Sequence, residues 1–338
     1  MKNSISKVLG LVGIFVSLLG SPHSARADQP PPVRSLVDAN GVNLIDGSFN
    51  FDSAQVSIGE PGQGGLVRVF PGGAGANVNW SRDSLMGTIN SSGTTYTVSL
   101  GAMSRTYSLS GGIFTSLQGD GSTLVQTNAT TFTWTLRDGT RAVFSSNYAG
   151  FPLAYIGISA NVAQIAQLIR PSGEIETYVY TMHTIVAQPN PIYPPITLHV
   201  NRLDAVTNNF GYEIKYLYKA TGSPTFSDIY LASVIGINNA VDYCAPTATS
   251  CPNLTVAWPS ISYNSINTNI VTDNAGRQTT YPSIGPSTTT SWIRPSGATV
   301  TITTDANSRV LSVANGVGTW TYQYATGGGT QTTTVTDP

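Results

Sequence analysis

The sequence predicts an all-β fold of short antiparallel hairpins stacked into an open, twisted sheet or partial shell. Three observations carry that expectation. Of 338 residues, 40% are apolar but only 10% are charged, far below the usual quarter. Thr, Ser, Asn, Gly and Tyr supply the polarity instead, and β-branched and aromatic side chains suit a pleated surface while Gly and Asn suit turns. Short alternating runs recur between glycine-rich turns. From residue 139 onward, a glycine is repeatedly followed five places later by a large side chain.

The chain opens on an export signal. Lys2 and Lys7 precede an apolar run at residues 8–19 (VLGLVGIFVSLL), and Ala25-Arg26-Ala27 forms a small-x-small cleavage site. Those three parts make a secretory signal peptide over 1–27. Twelve apolar residues are too few to span about 30 Å of hydrocarbon, so no transmembrane helix is expected after cleavage. The expected location is secreted, periplasmic or cell-surface. Cleavage removes three of the 16 basic residues and none of the 17 acidic ones, leaving 13 against 17, a net charge of −4. Such a balance lacks the basic footprint of nucleic-acid binding.

An N-terminal β-rich domain is expected over 28–160. QPPPV (29–33) reads as an extended lead. The Asn-Gly and Asp-Gly pairs at 40–41 and 46–47, with alternating Phe49 and Phe51, read as turn, strand, turn, strand. Strands follow at 94–100, 104–110, 112–117, 122–127, 131–136 and 140–144. Gly111-Gly112, Gly119-Asp120-Gly121 and Asp138-Gly139 lie between them, where positive φ is needed. Residues 158–169 (ISANVAQIAQLI) fit either a short amphipathic helix or a strand followed by a turn.

Repeats occupy 161–338. Gly139 and Phe144, Gly173 and Tyr178, Gly211 and Tyr216, Gly276 and Tyr281, and Gly297 and Ile302 share the five-residue offset. Gly318 has Tyr322 one place early and Tyr324 one place late. A turn residue such as Asn208 or Asp273 with a glycine three places on makes a tight reversal, and an odd offset keeps the later side chain on one face. On that buried face an aromatic can stack on its neighbour from the previous hairpin. Gly276, Gly297 and Gly318 are 21 residues apart, about two strands and two turns, and a unit that small needs its neighbours.

The unit VTDNAGRQTTY, with Asp273, Gly276, Arg277 and Tyr281, resembles the RHS/YD-repeat family. So does ITTDANSRVLSVANGVGTWTYQY, with Asp305, Arg309, Gly318, Trp320, Tyr322 and Tyr324, where Ser308 stands at an expected Gly. Residues 40–51 and 122–144 resemble the region before the repeats in exported members, whereas 160–268 is degenerate, with an irregular insertion at 243–258. The resemblance implies hairpins stacked into a long sheet that in complete members closes into a shell. It implies a downstream RHS or toxin segment, or a surface glycan, as partner. The closing VTDP stops where the family continues Gly-Arg, so the repeats are expected to be truncated at the C-terminus.

No catalytic set stands out, and an enzyme, a cofactor and a metal site are not expected. His183 and His199 fall on strands without Asp or Cys at a telling spacing. The G-x-S-x-G, H-E-x-x-H and Walker motifs are missing. Gly72-Gly73-Ala74-Gly75 opens no helix, so it makes no phosphate cradle. Glu174 and Glu176 share a strand face and read as solvated. Asp120, Asp138, Asp273 and Asp305 read as turn caps. Cys244 and Cys251 bracket APTATS and, in an oxidising compartment, read as a disulfide that stiffens one loop. The expected role is a non-enzymatic exported β-repeat scaffold. The alternative is a carbohydrate-binding or adhesion module that uses an exposed aromatic strip of Tyr178, Tyr180, Tyr216, Tyr218, Tyr281, Trp320, Tyr322 and Tyr324; as core, the same rings would fill the space between hairpins.

Overall fold

The computed structural model describes residues 37–60, 63–70, 83–146, 163–187, 196–219, 230–263, 270–327 and 330–338. The expected signal peptide, the Pro-rich lead and Gly72 to Gly75 lie outside them. Among the described residues the protein is all β, antiparallel and without helix. Among the described residues no helix is long and apolar enough to cross a membrane.

A hairpin of β1 (Ala54–Ile58) and β2 (Leu66–Phe70) forms a separate two-stranded sheet. The next strands are β3 (Gly87–Ser92), β4 (Thr95–Leu100), β5 (Met103–Ser110), β6 (Ile113–Ser116), β7 (Thr123–Asn128), β8 (Thr131–Thr135), β9 (Arg141–Ser145) and β10 (Ala163–Ile169). Gly111, Gly112, Gly119, Gly121 and Gly139 all adopt positive φ, as their turns require. Residues 163–169 settle the helix-or-strand alternative as a strand; 158–162 lie outside the described residues.

At β10 the sheet forks. Its first residues pair with β3 (Ala163↔Ile89, Gln164↔Thr88), and its last with β11 (Ile175–Ala187), through Gln167↔Thr177 to Ile169↔Ile175. The other edge of β10 pairs with β9. Strands β3 to β10 therefore curl back on themselves. From β11 the sheet runs on through β12 (Ile196–Asn208), β13 (Tyr212–Tyr218), β14 (Leu231–Asn238), β15 (Ser260–Tyr263) and β16 (Ile270–Asp273). It continues through β17 (Gln278–Thr280), β18 (Thr289–Ile293), β19 (Thr299–Thr304), β20 (Val310–Ala314), β21 (Thr319–Gly327) and β22 (Thr330–Thr336). Each is antiparallel to the one before. This sheet is not closed.

One face of the long sheet carries the core: Tyr178, Ile214, Tyr216, Ile261, Val271, Tyr281, Trp292, Ile302, Val313 and Tyr322. What covers that face is the chain's own start. Residues 37–60 and the β1–β2 hairpin, here called the strap, cross the inner face from β21 toward β11, and β1 rests on β13, β14 and β15. Residues 40–51 make isolated bridges, Val37↔Asn43 and Val42↔Phe49, in place of the expected strands. Gly47 sits where the strap meets the sheet. Its φ is +76°, and a Cβ there would lie 2.7 Å from Arg309 Cβ and 2.9 Å from the Tyr324 ring. Only glycine allows that approach.

Candidate functional site

Six of the sequence-predicted turns along the sheets share one structure, which the strap repeats at 38–42 with Gly41 left-handed. In residues 273–277, the Asp273 amide donates to the Arg277 carbonyl at 3.0 Å and the Gly276 amide to the Asp273 carbonyl at 3.0 Å. The same pair of bonds recurs at 136–140, 170–174, 294–298 and 305–309, and its inner bond at 208–212, from Gly211 to Asn208. The fourth residue is always left-handed: Gly139, Gly173, Gly211, Gly276, Gly297 and Ser308, with φ between 63° and 87°. This is a three-residue hairpin loop ending in a bulge. Ser308 holds the conformation without being glycine.

Five residues beyond that position stand Phe144, Tyr178, Tyr216, Tyr281, Ile302 and Val313, and all six are buried. The spacing thus places one inward side chain per turn. One assignment needs correction. Gly318 is not the left-handed residue of its turn; Gly316 is, at φ +85°. Gly318 matters for space, because a Cβ would lie 2.3 Å from the Pro338 ring.

Turn aspartates do the capping expected of them. Asp273 Oδ1 accepts from the Ala275 and Arg277 amides at 3.0 and 2.9 Å, and Oδ2 from Arg277 Nε at 2.7 Å. Asp305 repeats the set with Asn307 and Arg309. At both, burial pushes the carboxyl up, but the amides and the arginine outweigh it and hold it below the usual range. Asp120 and Asp138 accept from the Ser122 and Thr140 amides.

The tyrosines do not form an exposed strip. Tyr178, Tyr180, Tyr216, Tyr281 and Tyr322 are buried, while Tyr218, Trp320 and Tyr324 pack half-buried against the core. Nor do they chiefly stack from hairpin to hairpin: on the long sheet the ring contacts reach the strap and β2. Phe49 and Phe51 meet Trp292 edge-on, Phe51 meets Tyr281, and Phe70 meets Tyr216. Four hydroxyls then tie the strap and the segment entering β3 to the sheet. Tyr322 donates to Asp38 at 2.7 Å, Tyr281 to the Asp52 carbonyl at 2.8 Å and Tyr178 to the Leu85 carbonyl at 2.8 Å. Tyr216 donates to the Asp83 carboxylate. A ring in the core with its hydroxyl satisfied is how a buried tyrosine normally sits.

Arg68 on β2 is wholly buried, and sequence reasoning did not find it. Its Nη2 reaches Glu176 Oε2 at 2.5 Å, its Nη1 donates to the Val67 carbonyl at 2.9 Å, and its Nε faces Asp83 at 3.3 Å, off hydrogen-bond geometry. Arg170 adds bonds to Glu174 and Glu176 at 3.2 and 2.7 Å. The expectation that Glu174 and Glu176 are solvated is therefore wrong: Glu176 is 1% exposed, because β2 brings a cation onto it. Burial pushes both partner carboxyls up. At Glu176 the two arginines outweigh it and hold the carboxyl low; at Asp83, Arg68 and the Tyr216 hydroxyl do not, and it stays high. A sequence signal existed: in LVRVF the alternation puts Arg68 on the face of Leu66 and Phe70.

On the opposite face of β13, Glu213 and Lys215 are also buried. The insertion after β14 covers them. Asn239 donates to Glu213 at 3.1 Å, and Lys215 donates to the Pro246 carbonyl. Burial raises the Glu213 carboxyl and lowers the Lys215 amine. Cys244 and Cys251 are disulfide-bonded across this loop, Cα atoms 5.6 Å apart, and Asp242 gathers Thr255, Val256 and Trp258 beneath it.

A cleft of about 230 Å³ opens where the strap passes β15, β16 and β17, with Asp52, Gln55, Asp273, Arg277 and Tyr281 in its walls. It brings together three residues that the repeat pattern and the turn had singled out, Asp273, Arg277 and Tyr281, with Asp52 and Gln55 from the strap. Among the described residues no three His, Cys, Asp or Glu side chains are grouped to hold a metal. His183 lies in β11 and His199 in β12, paired with Val200 and Thr184 in the ladder. No family model matches the chain, and no curated protein matches it.

Proposed function

We propose that this protein is an exported, non-enzymatic β-repeat scaffold of the RHS/YD-repeat type that works by surface contact. One observation carries the reading: six turns of a single design along the sheets each place one buried side chain five residues past the left-handed position. Such regularity builds a wall, since a hairpin too small to fold alone needs its neighbours beside it and, here, the strap over it. A second observation narrows it. The inner face of the long sheet is occupied by the strap, through two tyrosine hydroxyls and the buried Arg68, and by the segment entering β3, through two more hydroxyls. A face so filled leaves the outer face and the edges for contact, and favours contact over enclosure of a cargo.

The test fuses a protease-sensitive reporter behind Pro338 and exports the fusion. Surface contact expects the reporter to be cut as fast as the free reporter, while the scaffold stays whole. Protection of the reporter would turn the reading toward enclosure, and turnover of substrate by the purified scaffold would remove the non-enzymatic part. The aromatic-strip form of the carbohydrate reading loses its support, because its rings lie in the core.

A further inference from the structure

We propose that the outer face of strands β18 to β22 binds the surface of ice. The inference does not rest on the scaffold reading, and either can fail alone. It starts from register. Thr289 pairs with Thr303, Thr303 with Ser312, Ser312 with Thr321 and Thr321 with Thr336, so one hydroxyl row crosses five strands. Two residues along, Ser291, Thr301, Ala314 and Thr319 make a second row beside it. Side chains alternate across a strand, and the opposite face of the same strands buries Trp292, Ile302, Val313 and Tyr322 in the core. The rows therefore face outward. Four of the nine residues, Thr301, Thr303, Ser312 and Ala314, are half-buried and the other five are exposed. None of the nine is charged, where a solvated face ordinarily mixes in Lys, Arg, Asp and Glu.

A partner for such a face must match its chemistry and its repeat. Rows without charge offer nothing to an ion, a phosphate or a charged peptide. What they offer is a lattice of hydroxyls and methyls, about 4.8 Å apart across strands and about 6.8 Å apart along them. Each spacing lies within about a tenth of an oxygen repeat on the prism face of hexagonal ice. A hydroxyl can join that oxygen network as donor and acceptor at once, and a methyl gains by leaving liquid water. The array is set before ice arrives. Threonine is stiff at χ1, the hydroxyls of Thr289 and Thr303 already meet at 3.4 Å, and the core holds the strands from behind. Little ordering cost remains. The twist of a sheet, about 20–25° per strand, turns distant strands off a flat crystal, so contact takes about two or three strands at a time. Partial contact of that kind slows the growth of existing crystals and lowers the freezing point little.

The experiment follows ice recrystallisation in a frozen buffered solution, with the full chain set against serum albumin at the same concentration. The full chain should keep the crystals small where albumin does not. Thr289→Lys and Thr321→Lys each place a charge on the exposed part of the row. Taking that charge out of water against ice is costly, so each variant should need roughly tenfold more protein for the same effect. Thr247→Lys, also exposed but on the disulfide loop, should match the parent. Melting temperatures of all three should stay at the parent's, which separates lost binding from lost fold. Thr321→Ser deletes one methyl at no risk to the strand and should fall between parent and Thr321→Lys. Crystals as large as those in albumin, inhibition unchanged in both row variants, or an equal loss in Thr247→Lys would each overturn the proposal.

Discussion

Strands β3 to β10 and strands β11 to β22 solve the same problem in different ways. Each is an antiparallel sheet with one apolar face to bury. The first set curls until β10 meets β3, and its inner side chains then cover one another. Tyr107, Trp134, Phe144, Ile89 and Val98 are buried, and the Trp134 indole donates to the Tyr107 hydroxyl, which meets Ser122. The long sheet does not close, so its inner side chains reach out to a foreign segment. Its tyrosines end on Asp38, Asp52, Asp83 and Leu85. A curled sheet is its own lid; an open one needs a lid from elsewhere in the chain. The difference teaches that the strap is as much part of the repeat core as the repeats are.

The largest break in that comparison should come from Arg68→Ala. It leaves buried Asp83 without a cation and Glu176 with only the partly exposed Arg170, a change that costs about 3–5 kcal/mol. Chemical unfolding should show the loss. Hydrogen exchange should place it in β11 to β14, with β4, β5 and β8 still protected. Equal deprotection of both regions would mean that they share one lid after all. Tyr107→Phe is the converse. It removes the acceptor of the buried Trp134 indole, which costs about 1–3 kcal/mol, and faster exchange should appear in β4, β5 and β8 first.

The contrast also explains what could be read from the sequence. Turns were legible because their signals are local: Asp273, Gly276 and Arg277 are within five residues of each other, and the bonds they make stay inside the turn. Inward Tyr178, Tyr216 and Tyr281 followed from period-two alternation. The strap was not legible, because its partners are remote. Arg68 and Glu176 are 108 residues apart, Tyr281 and Asp52 are 229 apart, and Tyr322 and Asp38 are 284 apart. Nothing local to Glu176 announces a cation, so a carboxylate two places from another reads as solvated. The fork at β10 was hidden for the same reason, since its pairing with β3 joins residues far apart in the chain. The cleft was half legible: Asp273, Arg277 and Tyr281 stood out, while Asp52 and Gln55 arrive with the strap.

The smallest effects should come from the turns, where the two units of closest sequence can be set against each other. Gly276 and Ser308 fill the same left-handed position, at φ +77° and +63°. At Gly276 a Cβ would meet open space, so Gly276→Ala should lose only the left-handed backbone penalty, about 1–2 kcal/mol. Ser308 already bears that penalty, softened by its short polar side chain. Ser308→Gly should therefore stabilise the protein, by less than the Gly276→Ala loss because glycine also frees the unfolded chain by about 0.5–1 kcal/mol. Thermal unfolding of the two single variants measures both signs. If Ser308→Gly instead lowered the melting temperature, the hydroxyl at that turn would be making a contact of its own, and the two units would no longer be one design.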